Sequence, residues 1–61
     1  MKAKQVKVIN TDGLDSKTIS MIEPTMLYSG NYVENETTFV TLHNSKGEAI
    51  YIFPERIEPI N

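Results

Sequence analysis

Cysteine and tryptophan are absent from this chain, and there is a single histidine, His43. Without thiols there is no disulfide framework and no thiolate metal site, and one imidazole is too few for a structural zinc centre. No long apolar run is present either. The longest, Ala49 to Pro54, falls far short of the roughly 20 residues that span a bilayer, and no charged-then-apolar leader opens the chain. The chain therefore reads as a soluble, cytoplasmic protein with no membrane association. Its three glycines, Gly13, Gly30 and Gly47, are dispersed, so no glycine-rich loop cradles a phosphate. No catalytic motif emerges, and the expectation is a protein that is not an enzyme and needs neither cofactor nor metal.

What is present is short and β-rich. A chain of 61 residues makes one domain and buries only ~60% of its unfolded surface, so packing alone, or an oligomer, must hold its core. The net charge is −2, unevenly spread: residues 1 to 20 carry four lysines against two aspartates, and residues 21 to 61 carry Lys46 and Arg56 against six glutamates. The acidic balance works against nucleic acid as a partner. The basic first strand, with Lys2, Lys4 and Lys7, is the one surface on which phosphate contacts would be sought.

The clearest pattern lies in the last third. Phe39, Val40 and Leu42 lead into Asn44-Ser45-Lys46-Gly47, and Ala49 to Phe53 follow before Pro54 stops the run. β-Branched and aromatic residues bounded by turn formers predict a hairpin. Within its first strand, Val40 and Leu42 point one way and Phe39, Thr41 and His43 the other. Near the start, Val6 and Val8 alternate with Lys7 in a half-buried strand, and Asn10-Thr11-Asp12-Gly13 supplies a turn. Residues 14 to 22 fit two readings, a strand on the alternation of Ile19 and Met21 or a short helix on Leu14, Thr18, Met21 and Ile22. The β-branched Thr18 and Ile19 favour the strand. A further strand is expected over Thr25 to Ser29, punctuated by Gly30-Asn31, and Glu34 to Glu36 read as the tip of an exposed loop or hairpin.

The run from Gly47 through Phe53-Pro54 to Ile57 and Ile60 resembles the C-terminal part of SH3-like small β-barrels, in which a turn, an apolar strand, a Pro step, a 3-10 turn and a closing strand follow one another. The resemblance implies an all-β fold: a small SH3-like barrel of about five short antiparallel strands with a 3-10 turn near the C-terminus. A short helix in residues 14–22 would make it α+β instead. Peptide-binding SH3 domains add an aromatic groove with a Trp and a Tyr-rich early motif. Here there is no Trp, residues 3 to 14 hold no aromatic residue, and the turn reads Glu55-Arg56-Ile57. Pro54 alone carries over, so the resemblance points to the barrels of bacterial and phage proteins and not to recognition of proline-rich peptides.

Site candidates follow from the aromatics. Phe39 and Phe53 read as core, with Tyr51 half-buried opposite them. Tyr28 and Tyr32 flank Gly30-Asn31 and read as an exposed contact, extended by Met26 and Leu27 and rimmed by Glu34 and Glu36. The expected function is a non-enzymatic protein–protein interaction module, such as a small phage or bacterial accessory or inhibitory protein, whose partner is another protein. The alternative is a nucleic-acid-binding module using Lys2, Lys4 and Lys7. A homo-oligomer is compatible with either, since a second copy would cover open strand edges. His43 beside Ser45 lacks an orienting carboxylate in any recognisable pattern, and reads as a strand-end polar residue.

Overall fold

Alternation in the first strand is realised as expected: in β1 (Lys4–Val8) the Val6 side chain is buried while Lys4, Gln5 and Lys7 are exposed. The structure, a computed structural model, describes residues 4–60. After β1 come a helix α1 (Ser16–Met21), β2 (Met26–Glu34), β3 (Thr37–His43), β4 (Ala49–Ile52), a 3-10 turn (Pro54–Arg56) and β5 (Ile57–Pro59). All five strands join one antiparallel sheet in the order β4-β3-β2-β1-β5. The chain is all-β, with one helix of six residues.

That helix corrects the strand expected over residues 14 to 22. Asp15 decides it locally, since its side chain accepts the Thr18 amide at 3.0 Å and so satisfies an N-terminal donor that would otherwise lack a partner. Ile22, extended, ends the helix by donating its amide to Ile19, and Pro24 prevents its resumption. Leu14, Met21 and Ile22 pack against the core, whereas in a strand the adjacent Met21 and Ile22 would face opposite sides.

The core consists of Val6, Met26, Val40, Leu42, Ile50 and Ile52, drawn from β1 to β4. A sheet face with so small a helix to cover it buries its apolar side chains by curling on itself, and β2 supplies the bend. Its first residues pair with β1 (Gln5 with Leu27, Val6 with Met26), and from Leu27 to Glu34 it pairs with β3 (Tyr32 with Phe39). Between Tyr28, opposite Leu42, and Gly30, opposite Thr41, Ser29 is an extra residue. This β-bulge raises the local twist, and Gly30 takes φ +127°, a conformation L side chains rarely adopt. The strand expected to stop at Ser29 therefore continues, and Gly30-Asn31 are paired residues of β2 just past the bulge and not a turn.

The reversal lies farther on. Asn35 and Glu36 both have positive φ, 50° and 66°, as a two-residue type I′ hairpin turn demands. The β3–β4 turn at Asn44 to Gly47 is as the sequence indicates, closed by the Gly47 amide on the Asn44 carbonyl at 3.1 Å. Asn44 is buried and anchors it. Its Nδ2 donates to the Met21 carbonyl at 3.0 Å and to Glu48 at 2.8 Å, and its Oδ1 accepts the Lys46 and Glu48 amides, each at 3.0 Å. The Ile9 amide donates to the Arg56 carbonyl at 2.7 Å, tying the loop after β1 to the 3-10 turn.

Candidate functional site: an aromatic face on β2, β3 and β4

Strict alternation divides β3 and β4 into two faces. Val40, Leu42, Ile50 and Ile52 are buried, and their neighbours Phe39, Thr41, His43, Tyr51 and Phe53 lie on the opposite, solvent side. The register aligns Tyr32 with Phe39 across β2 and β3. Phe53 stacks on Phe39 with centroids 5.2 Å apart and planes 12° apart. Tyr32 lies 6.2 Å from Phe39 and 5.2 Å from Tyr51, tilted against both. Four aromatic rings thus form one contiguous surface, three of them on β2, β3 and β4 and the fourth, Phe53, on the residue just after β4. Phe39 is half-buried, whereas Tyr32, Tyr51 and Phe53 are 42%, 54% and 39% exposed. Tyr32, Phe39, Tyr51 and Glu34 line a shallow cleft of about 490 Å³.

The electrostatics of this cleft are acidic. Tyr32 donates its hydroxyl to Glu34 Oε1 at 2.9 Å. That hydrogen bond, followed by the carboxylate's charge, raises the phenol above the ordinary tyrosine value. Among the described residues, no basic side chain lines the cleft.

The structure separates residues that the sequence reading grouped. Met26 is in the core at 1% exposure, so it cannot extend a docking patch; it pairs with Val6 of β1 on the inner face. Tyr28 and Tyr32 do not share a surface. The extra residue at the bulge inverts the alternation, leaving Tyr28 opposite buried Leu42 and packed on the core while Tyr32 faces out. The Tyr28 hydroxyl donates to Asn31 Oδ1 at 2.6 Å. Leu27 is exposed and opposite His43, on the same outer face as Tyr32. Glu34 stands at the rim, and Glu36 sits in the hairpin turn.

Phe39, Tyr51 and Phe53 were expected in or near the core and are instead on the exposed face. The signal was in the sequence: Phe39 shares its side of the strand with Thr41 and His43, and Tyr51 is flanked by Ile50 and Ile52. Both patterns place the aromatics opposite the core. No family model, curated protein or solved structure matches this chain.

The basic strand does not assemble into a patch. Lys2 lies outside the described residues. Lys4 and Lys7, three apart on β1, point to opposite sides of the strand, and Lys7 pairs with Glu58 at 3.9 Å. His43 Nδ1 is hydrogen-bonded to Ser29 Oγ. Ser45 is held by Glu23, whose carboxylate accepts its amide at 2.9 Å and its hydroxyl at 2.8 Å. These two bonds hold the Glu23 carboxyl below the usual value. Among the described residues, no three His, Cys, Asp or Glu converge on a metal position, and no helix is long and apolar enough to cross a membrane.

Proposed function

We propose that this chain is a non-enzymatic interaction module that docks a partner protein on the outer face of β2, β3 and β4. The observation that carries the reading is the contiguous ring cluster Tyr32, Phe39, Tyr51 and Phe53, left open to solvent and rimmed by Glu34. Aromatic side chains supply large contact area at small entropic cost, and an exposed apolar cluster with a polar rim is the usual form of a protein-binding surface. Placement on paired strands holds the rings before a partner arrives, which reduces the ordering penalty of association. The strand order, with a 3-10 turn between β4 and the closing β5, supports an SH3-like reading of the fold, although fold alone assigns no partner. Nucleic acid is less well supported, because Lys4 and Lys7 face apart and the aromatic surface has an acidic rim.

The test is affinity capture with the tagged protein after nuclease treatment, comparing the native chain with Tyr32→Ser and Tyr51→Ser, each first checked for native circular dichroism. A protein retained by the native chain and lost with both variants is the expected result. Equal retention by the folded variants removes this face from the reading, and material lost on nuclease treatment transfers the function to nucleic acid.

A further inference from the structure

We propose that the partner docks an arginine side chain in the cleft lined by Tyr32, Phe39 and Tyr51, its guanidinium lying over the rings and against the Glu34 carboxylate. The proposal rests on the docking reading above and specifies the partner's chemistry. Tyr32 and Tyr51 have centroids 5.2 Å apart and planes inclined by 47°, so the rings are tilted against each other and a planar group can lie over them but not between them. Phe39 and Glu34 complete the lining. The cleft thus offers ring faces, which carry negative electrostatic potential, and one carboxylate, with no cation among its lining residues.

Charge complementarity selects the occupant. A purely apolar side chain satisfies the rings but shields the Glu34 carboxylate from water without a countercharge, and an acidic side chain is repelled. A cation satisfies both features. Arginine fits better than lysine because a planar guanidinium stacks on a ring while its edge donates to a carboxylate. Glu34 is already oriented, since Oε1 accepts the Tyr32 hydroxyl at 2.9 Å, and among the described residues no hydrogen bond reaches its Oε2. Among the described residues, no lysine or arginine lines the cleft. Lys46 lies in the β3–β4 turn, Arg56 donates to the Asn10 carbonyl at 3.2 Å, and Lys7 pairs with Glu58.

The test is a magnetic-resonance titration of the isotope-labelled protein with N-acetyl-arginine amide and, separately, with N-acetyl-citrulline amide, which has nearly the same shape without the charge. Saturable shifts centred on Tyr32, Glu34 and Tyr51 are expected with the arginine compound only. Glu34→Gln should weaken that binding by about threefold, and Tyr51→Leu, which keeps apolar volume but removes the ring face, by about threefold as well. An equal response to citrulline, shifts centred elsewhere, or unchanged affinity in folded Glu34→Gln would each overturn the assignment. A failed arginine titration combined with partner capture that still depends on Tyr51 overturns the arginine assignment alone. Capture independent of Tyr51 overturns the docking face itself.

Discussion

Asn44 is the residue whose replacement should do most to separate the two halves of this chain. Its side chain makes four hydrogen bonds, joining the end of α1 through the Met21 carbonyl to the β3–β4 turn through Lys46 and Glu48. Asn44→Ala removes all four. The Lys46 and Glu48 amides can be rehydrated in part, but the Met21 carbonyl faces the buried Asn44 position and loses its partner. With a net contribution of 0.5–1.5 kcal/mol per bond and a larger penalty for an unsatisfied buried group, the cost is about 2–4 kcal/mol. For a domain this small that corresponds to a fall in Tm on the order of 10–30 °C. Urea or thermal unfolding followed by far-ultraviolet circular dichroism measures it. Asn44→Asp is the discriminating variant, because it keeps the two acceptor bonds on Oδ1 but turns a donor into a carboxylate facing the Met21 carbonyl and Glu48. Those neighbours raise the new carboxyl above its unfolded value, so the folded state binds more protons in the interval between the two. The deficit relative to the native chain should then shrink as pH falls through that interval. A loss below about 1 kcal/mol for Asn44→Ala, no more than an ordinary surface substitution, would refute the assignment of Asn44 as the link between helix and turn.

Other consequences are open to the same assays. Glu36 occupies the second position of the Asn35-Glu36 turn at φ 66°; Glu36→Gly should raise stability by about 0.5–1 kcal/mol in urea unfolding, since glycine adopts this conformation without a Cβ clash. Gly30→Ala meets open space but inherits φ +127°, so calorimetry should show a loss of about 1–3 kcal/mol through backbone strain alone. The carboxyls of Glu23 and Asp15 are both held below their ordinary values by hydrogen bonds from Ser45 and Thr18 respectively. Their stabilisation is complete above the unfolded carboxylate range and is lost as pH falls through the lowered folded values; the Glu23→Gln difference from the native chain should therefore be largest near neutrality and smaller in acid. Glu34→Gln should return the Tyr32 phenol toward its ordinary value in an ultraviolet titration of phenolate absorbance.

Local chemistry made much of this molecule legible without coordinates. Alternation in Lys4–Val8 and Thr37–His43, and a β-branched and aromatic run bounded by turn formers over Ala49–Ile52, mark three of the five strands. Asn44 to Gly47 and Phe53-Pro54 mark the hairpin turn and the stop before the 3-10 turn, each through the dihedral preferences of Gly or Pro. Tertiary structure decided the rest. The helix over Ser16–Met21 wins because Leu14, Met21 and Ile22 reach the core together and Asp15 caps the start, a balance that the β-branched residues there conceal. The site turns on a single extra residue. Ser29 enters as a bulge in the β2–β3 pairing, just past the residues that β2 also pairs with β1, inverting the alternation so that Tyr28 joins the core side and Tyr32 faces solvent. The sequence by itself determined which residues share a face of β1 and β3, where the alternation runs without a bulge. Only the bulge in β2 and the register of β2, β3 and β4, which depend on how the strands pair, brought Tyr32, Phe39, Tyr51 and Phe53 together on the outside.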